Sequence, residues 1–488
     1  MIDTPSIDWL ALSPVLAPLA GATVALLLSV FLPDGMRRAA AAFFAAVGLL
    51  VGLVLAAYVY WKSPDAQGIV ADAARRDRLA TLAQMMIAGA GVLTVGIAWR
   101  DQPRQEHIGE YFALLSTAAA GMMFMVSASN LMTLFLGLEW FSISLYVLCA
   151  IDIELETSLE SGLKYLIVGS FGSAILLFGF ALVYGATGAL ELGAIGQAGR
   201  ALEHDSLLLV GLAMVLTGLG FKASAAPFHM WTPDVYQGSP TAVTAFMSAA
   251  TKVTALVVML RVLNTAFPAQ EDLWSGAVAA IAVASLAIGN LAALVQRNVK
   301  RMLAYSSISH AGFMLIPIAA ATELGAKALL YYLIPYGAAS LGAFAVVAAR
   351  ERELREPVTL DNLSGMGWER PFLGFALAMF AFAFIGLPPG GLFVGKLLAF
   401  SAAVDADMIW LVIVGVVATA VSVYYYLAIV RSLYMRTELR LVPAGGAPPR
   451  EILLTASVVL TLGIVVASFV FVQPLLDLAG NAASSLGF

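Results

Sequence analysis

Apolar stretches of about 20 residues follow one another along almost the whole chain, with short polar joints between them. A helix of about 20 residues spans the hydrocarbon core of a bilayer, and a helix satisfies all its backbone polar groups internally. Charged residues make up only 12% of the 488 residues, against about 25% in globular domains. The sequence therefore predicts an all-α polytopic membrane protein with no separate soluble domain.

Hydropathy windows of about 19 residues predict about fourteen transmembrane helices. An even number of spans places both termini on the same side of the membrane. The predicted spans are residues 10–32, 38–61, 79–99, 108–127, 129–151, 161–188, 206–226, 240–265, 273–296, 301–321, 326–349, 371–402, 408–435 and 451–476.

The distribution of lysine and arginine predicts the orientation. Joints after odd-numbered spans carry 16 of these residues, and the joints on the other side carry 7. Because Lys and Arg are retained in the cytoplasm, we expect a bacterial inner-membrane protein with both termini in the periplasm. The cluster of Arg75, Arg76 and Arg78 opposes this trend, since it lies on the predicted periplasmic side.

Two predicted spans contain residues that cannot continue a helix. Pro227 and Pro233 interrupt the end of span seven, and the run from Pro388 to Gly391 interrupts span twelve. Broken backbone at membrane depth is tolerated only inside protein or beside a wet cavity. Paired breaks in two halves of a transporter point to an ion path.

The positions of the breaks predict an internal repeat. Spans four to eight and nine to thirteen each occupy about 160 residues and each have the broken helix fourth. Five spans are an odd number, so the second unit is expected to be inverted; the alternative is a coincidence among fourteen helices. The predicted units are helices 1–3 (residues 1–107), two five-helix units (108–265 and 266–435) and a last helix (436–488).

Four charged residues lie in the middle of predicted spans: Glu139, Lys222, Lys252 and Lys396. A charge at mid-bilayer costs at least ~2.5 kcal/mol, so each is a functional hypothesis. A lysine taken out of water can release its proton, and a nearby carboxylate holds it charged. We therefore predict a proton path in which Glu139 is the counter-charge of Lys222. The alternative for each residue is a static ion pair or a polar helix contact.

His229 and His310 are secondary candidates, for which relay and structural roles are equally open. Lys164 follows an acidic stretch, which indicates a cytoplasmic anchor or a local ion pair. The tyrosine run at 424–426 is interpreted mostly as packing or as interface residues.

No cofactor or metal is expected on this chain. Cys149 is the only cysteine, so no multi-cysteine motif for zinc or an iron–sulfur cluster exists. Only His229 and His310 are embedded, and no dinucleotide or ATP loop is present. No basic block with interleaved aromatics supports nucleic-acid binding.

Three stretches resemble the antiporter-like subunits of respiratory NADH:quinone oxidoreductase and of multisubunit sodium/proton antiporters. They are ESGLKYLIVGSFGSAILLFGFALVYGATG, FKASAAPFHMWTPDVYQGSPTAVTAFMSAATKVTAL and NVKRMLAYSSISHAGF. The resemblance covers spans four to thirteen and is greatest to the subunit N branch. It implies fourteen helices, two inverted five-helix units, discontinuous helices seven and twelve, and a hydrated charged axis.

The resemblance also implies roles for single residues. The family's glutamate of helix five matches Glu139, and its lysines of helices seven, eight and twelve match Lys222, Lys252 and Lys396. The subunit M type is similar but has a glutamate at the place of Lys396, and the subunit L type has a long C-terminal lateral helix. A D-type subunit of a cation/proton antiporter also has a lysine there and is the alternative.

The implied function is that of a proton-translocating membrane-arm subunit, which couples quinone reduction elsewhere in the complex to proton pumping. It implies FMN and iron–sulfur clusters in other subunits, partners of the M, L, K and J types, and no redox centre on this chain. A passive scaffold is a third hypothesis, against which the four embedded charges argue.

The predicted topology can be tested by fusions. Because both termini are expected in the periplasm, alkaline phosphatase fused to the C-terminus should be active in a bacterial host. A fusion in the joint after span nine, near Arg297, is the matched cytoplasmic control and should be inactive. A fluorescent GFP fusion at the C-terminus, with inactive phosphatase there, would refute the topology.

Overall fold

The computed structural model describes residues 7–62, 65–70, 72–101, 107–435 and 451–487. This part of the chain is almost entirely helical, and one antiparallel hairpin interrupts it, with strands β1 (Gln67–Ile69) and β2 (Ala74–Arg76). The predicted all-α polytopic class is confirmed. Four of the arginines used to predict the orientation lie outside the described residues: Arg104, Arg436, Arg440 and Arg450.

Twelve helical segments of the described chain are long and apolar enough to cross a membrane. They are α1 (Trp9–Phe31), α2 (Asp34–Lys62), α3 (Arg78–Ala98), α4 (Ile108–Met125), α5 (Leu131–Cys149), α6 (Glu156–Thr187), α10 and α11 (Thr241–Phe246 and Lys252–Ala266, joined by a π turn), α12 (Glu271–Leu294), α13 (Val299–Ala319), α14 (Glu323–Leu354), α18 (Ile409–Met435) and α19 (Ile452–Val470).

The helix is broken at both remaining predicted spans, as the proline runs predict. Span seven holds α8 (Ser206–Lys222), and a second short helix, α9 (Thr232–Gly238), follows it in the predicted joint before span eight. In span twelve, α16 (Pro371–Ile385) is separated from α17 (Gly391–Asp405). Gly386 ends α16 at φ +90°, a left-handed conformation that only glycine adopts readily. The inverted relation between the two halves stays a prediction.

Three features differ from the sequence prediction. The last predicted span ends too late, because α19 stops at Val470 and an amphipathic helix, α20 (Val472–Ala483), follows it. The β1–β2 hairpin was not predicted, since three-residue strands carry too little alternation to be recognised. Short helices also lie in two joints: α7 (Leu192–Gly199) and α15 (Met366–Glu369).

The most buried helices of the bundle are α10 and α11, α13 and α14. The most apolar window of the segment Thr241–Ala266 is 100% buried, that of α13 is 94% buried and that of α14 is 89% buried. The same measure is only 33% for α1, α18 and α19. The central helices are therefore shielded from lipid by other helices, and polar groups on them face protein.

Helices α1 and α2 pack through glycines that allow their backbones to approach closely. A Cβ atom added at Gly48 would lie 2.8 Å from the Cα of Gly21 and 2.8 Å from the carbonyl oxygen of Ala17. Small residues are the usual means of close helix packing in membranes.

Gly48→Ala should therefore push α1 away from α2. We expect a loss of about 1–3 kcal/mol, the usual effect of overpacking, measured as a lower thermal-aggregation midpoint of the purified assembly. Gly463→Ala is the matched control, because a Cβ atom at this position in α19 would meet nothing within 4 Å. Equal midpoints for the two variants would contradict the close-packing explanation.

Candidate functional site

Lys222 is the last residue of α8 and is 3% exposed. Its Nζ donates a hydrogen bond of 2.7 Å to the Ser142 hydroxyl on α5. The rings of Phe141 and Tyr165 lie 5.4 and 5.5 Å from the same nitrogen. Within the described part of the chain, no carboxylate lies within 4.0 Å of Lys222. The ammonium group is held by a hydroxyl and aromatic faces.

Glu139 lies on α5 three residues before Ser142. Its carboxylate acts electrostatically on Lys222, but the two groups do not form an ion pair. The Oε1 atom of Glu139 is buried without a hydrogen-bond partner among the described protein atoms. The predicted counter-charge, Glu139, thus influences Lys222 without touching it, and the direct hydrogen bond to Lys222 is made by Ser142.

Lys252 begins α11, directly after the π turn Met247–Thr251, and is fully buried. Its Nζ donates to the carbonyl oxygen of Ala223 at 2.9 Å. Ala223 immediately follows Lys222, at a helix end whose last carbonyls lack helical partners. Lys252 therefore supplies the hydrogen-bond donor for a backbone carbonyl at the first break. π turns are frequent at functional sites.

Lys396 has the same relation to the second break. It lies on α17, is 5% exposed, and donates to the carbonyl oxygens of Phe384 at 3.2 Å and Ile385 at 2.9 Å. These carbonyls end α16. The Phe313 ring centroid lies 4.3 Å from the Lys396 nitrogen. Two of the three embedded lysines thus donate hydrogen bonds to backbone carbonyls at the end of a broken helix.

His310 on α13 is buried and hydrogen-bonded on both ring nitrogens. Nδ1 lies 2.9 Å from the Tyr332 hydroxyl, and Nε2 lies 3.2 Å from the Tyr426 hydroxyl. Lys252 and Lys396 both act electrostatically on the imidazole. His310 therefore lies within electrostatic reach of one lysine from each predicted half, Lys252 and Lys396.

His229 lies in the chain between α8 and α9 and is half-buried. Its Nδ1 atom is buried without a partner among the described protein atoms. For His229, proton relay and capping of the break both stay predictions.

The tyrosine run contains one exposed residue and two that pack in the core, as interpreted, but the packed pair also makes polar contacts at the site. Tyr424 is 70% exposed, but Tyr425 and Tyr426 are each 1% exposed and hydrogen-bonded. Tyr425 donates to Asn290 at 3.0 Å, and Tyr426 contacts His310. Ser142, Tyr332 and Tyr426 are the site residues that the sequence analysis missed. A tyrosine inside a membrane span needs a hydrogen-bond partner for its hydroxyl. This requirement could have indicated from the sequence that Tyr332 and Tyr426 make polar contacts.

A cavity of about 510 Å³ opens at the end of the bundle formed by the predicted cytoplasmic joints. Lys300 lies in it, only 5% exposed, and donates to the Ser239 carbonyl at 2.8 Å and the Thr241 hydroxyl at 2.9 Å. A second cavity of about 260 Å³ shares Asp152 and Glu351 with the first. Burial raises the pKa of the Asp152 carboxyl.

Lys164 at the same cavity forms ion pairs with Glu160 at 2.6 Å and Asp234 at 2.8 Å, so it makes a local ion pair, one of its two predicted roles. Within residues that the structure describes, no three His, Cys, Asp or Glu side chains are grouped so that they could hold a metal ion.

The fold and the site together define a class. The chain is a polytopic membrane protein whose broken helices carry buried, hydrogen-bonded lysines, an arrangement typical of proteins that move protons or cations across membranes. Comparison with known proteins identifies the family. Residues 128–422 match the family described as NADH:quinone oxidoreductase/Mrp antiporter, transmembrane. The chain belongs to this family.

The relatives place it within the family. It is 39% identical to NADH-quinone oxidoreductase subunit N 1 of Herpetosiphon aurantiacus, over 95% of this chain and 93% of the relative. Respiratory complex I from Thermus thermophilus with bound aureothin contains a chain that is 34% identical, with a TM-score of 0.78, over 94% of this chain and 98% of that one. The sequence thus groups with subunit N proteins, as the resemblance predicted.

The Mrp complex from Dietzia sp. contains a chain with a TM-score of 0.85 but 22% identity, over 98% of this chain and 97% of that one. At that identity the likeness shows a shared fold alone. The antiporter alternative is therefore not favoured by the comparisons.

The contact between Lys222 and Ser142 generates a prediction. Ser142→Ala removes the only side-chain hydrogen-bond acceptor that Lys222 has among the described residues, and loss of a hydrogen bond to a charged group is worth about 1.5–3 kcal/mol. We expect NADH-driven proton pumping in membrane vesicles to fall about tenfold. Ser144→Ala is the matched control, since Ser144 bonds only to the Trp140 carbonyl of its own helix. Parental pumping by Ser142→Ala would show that the contact is dispensable.

Proposed function

We propose that this chain is the proton-translocating subunit N of a NADH:quinone oxidoreductase, an enzyme complex. It moves protons along buried lysines and a glutamate while quinone is reduced elsewhere in the complex. Membership of the family and identity with subunit N relatives along nearly the whole chain support the assignment.

One observation carries the proton-transfer role. Lys222, Lys252 and Lys396 are all buried, and each hydrogen-bonds to a neutral oxygen instead of a carboxylate. A static buried ion pair needs a carboxylate in contact, because an uncompensated buried charge is strongly unfavourable. A lysine bound to a carbonyl or a hydroxyl can lose its proton without leaving a bare anion beside it. This favours titrating lysines over static pairs.

The contacts support an order of groups along the proposed path. Lys252 reaches the carbonyl of Ala223, next to Lys222. His310 follows, under the influence of both Lys252 and Lys396. Tyr332, which contacts His310, packs against the backbone of the residue before Lys396. Hydroxyl pairs line the same region: Ser248 with Ser340 at 2.7 Å, and Ser307 with Tyr336 at 2.8 Å.

The cavity at Lys300 is the proposed site of proton uptake. It is lined by joints that carry the excess of basic residues, so we place it in the cytoplasm, with both termini in the periplasm. Asp152 lies in both cavities, and burial raises the pKa of its carboxyl, so it keeps a proton to a higher pH than an exposed aspartate.

The driving reaction is assigned to other subunits. We infer that FMN and iron–sulfur clusters are bound there, that quinone is the substrate of the complex, and that this chain has no redox centre of its own. The proposed neighbours in the bacterial inner membrane are subunits of the M, L, K and J types. Subunit N relatives and the complex I structure support this setting.

Replacement of Lys222 by arginine tests the path. Arginine keeps the positive charge but stays protonated at biological pH. If Lys222 must lose its proton, Lys222→Arg should impair NADH oxidation and pumping about as severely as Lys222→Ala, by tenfold or more. Both rates are measured in membrane vesicles, with assembly checked on native gels.

Lys164→Arg is the matched control. Lys164 is partly exposed and paired with two carboxylates. Arginine should preserve these ion pairs, so the Lys164→Arg complex should oxidise NADH and pump protons at the parental rates. If an assembled Lys222→Arg complex pumps at the parental rate, Lys222 only supplies charge and the proton-carrier role is wrong.

A further inference from the structure

Glu351 lies near the end of α14 at the predicted cytoplasmic face, and it lines both cavities. Its side chain is 22% exposed. The Thr241 hydroxyl donates a hydrogen bond to its carboxylate, and Nζ of Lys300 lies 3.7 Å from it. Thr241 and Lys300 are both buried. The Glu351 carboxylate therefore lies at the boundary between a cavity and buried polar groups.

Thr241, Lys300 and Glu351 form one connected group, the cavity triad. Lys300 donates hydrogen bonds to the Thr241 hydroxyl at 2.9 Å and to the Ser239 carbonyl at 2.8 Å. The Glu351 carboxylate lies just beyond hydrogen-bond distance of the lysine. Thr241 contacts both charged groups, so its hydroxyl links them. The triad thus fixes the position of the carboxylate without a direct hydrogen bond from the lysine to it.

Other carboxylates of the larger cavity are placed differently. Asp234 is held by ion pairs to two cations, at 2.8 and 2.6 Å. The Glu160 side chain is 61% exposed. Asp152 also lies in both cavities, but its carboxyl accepts a hydrogen bond from the backbone of its own turn. Glu351 is the carboxylate whose contacts connect the cavities to the central helices.

The triad joins three helices that lead to the proposed proton path. Its members lie at the start of α10, near the start of α13 and near the end of α14. At a rise of 1.5 Å per residue, each helix carries a polar group about 15 Å deeper. These groups are Lys252, eleven residues after Thr241; His310, ten after Lys300; and Ser340, eleven before Glu351. Hydroxyl pairs also join α14 to α13 and to the π turn that follows α10. The triad is therefore located where a proton from the cavity would enter this region.

We propose that Glu351 is a further proton-transfer residue of this subunit, the carboxylate that takes protons from the cavity, and that Lys300 is its positioning residue. The inference rests on the proposed function, because it names the group that serves the proposed uptake site. The Glu351 carboxylate accepts a proton from the aqueous side of the cavity. The carboxyl then gives the same proton up toward the central helices, and the carboxylate is restored. Lys300 and Thr241 hold the group at the boundary throughout.

The first test replaces the carboxylate in the complete complex. Glu351→Gln keeps the size of the side chain and an oxygen that can accept from Thr241, but an amide does not carry a proton. We expect NADH oxidation and proton pumping in membrane vesicles to fall by tenfold or more. Glu351→Asp keeps the carboxyl group and should retain most of both rates. Glu160→Gln is the matched control, since it removes the same charge from the same cavity and should leave both rates at the parental level.

The second test separates proton transfer from a structural role. Glu351→Ala leaves space beside the cavity of about 510 Å³, where a small carboxylic acid can enter. Millimolar sodium formate should raise the NADH oxidation rate of the purified Glu351→Ala complex several-fold, in detergent and with a soluble quinone as acceptor. Sodium chloride at the same concentration supplies an anion that carries no proton, and it should have no effect. Formate should not rescue Lys222→Ala, because Lys222 lies on neither cavity.

Parental rates in an assembled Glu351→Gln complex would overturn the role of Glu351. Equal rescue by formate and chloride would reduce that role to one of charge. If Glu351→Ala fails to assemble on native gels, Glu351→Gln against Glu351→Asp decides, because only the ability to carry a proton separates them from a common structural effect.

The outcome at Lys222 distinguishes this inference from the proposed function. If Lys222→Arg is impaired while Glu351→Gln is not, proton transfer through the subunit stands and only the assignment of Glu351 is wrong. If Lys222→Arg pumps at the parental rate, the proposed proton path itself fails.

Discussion

The hydrogen bonds from lysine side chains to the ends of broken helices are the interaction on which the centre of this protein depends. A bilayer offers no water to the carbonyl groups that a broken helix exposes. Lys252 bonds to the carbonyl of Ala223, and Lys396 bonds to those of Phe384 and Ile385. A buried carbonyl without a partner costs about 1–3 kcal/mol. The breaks and the embedded charges therefore stabilise each other.

The rest of the fold keeps these contacts away from lipid. The helices that carry Lys252 and His310 are almost completely buried, and α1, α18 and α19 form the outer layer. The π turn before Lys252 adds a residue to a helical turn, which changes the direction in which the following side chains project. A charged residue at this depth is tolerable because every surrounding surface is protein.

The parts that could be predicted from the sequence are those that a local pattern determines. Hydropathy identifies the spans, proline runs identify both breaks, and charges inside apolar spans identify Lys222 and Lys396. The partners could not be predicted, because Ser142 is 80 residues from Lys222 and Tyr426 is 116 residues from His310. Such contacts depend on how helices pack. The end of α19 and the hairpin were missed because hydropathy does not report a kink or a three-residue strand.

Glu139 and Lys222 are not in direct contact, and this makes the proposed proton transfer easier. A buried ion pair in contact resists separation, because removing one partner costs about 3–5 kcal/mol. Two unit charges that are not in contact interact more weakly, and this energy changes only gradually with distance. Since Ser142 takes the direct contact with Lys222, Glu139 can favour the charged lysine without a bond that must break. A small change in the position or charge of Glu139 is then enough to alter how firmly Lys222 holds its proton.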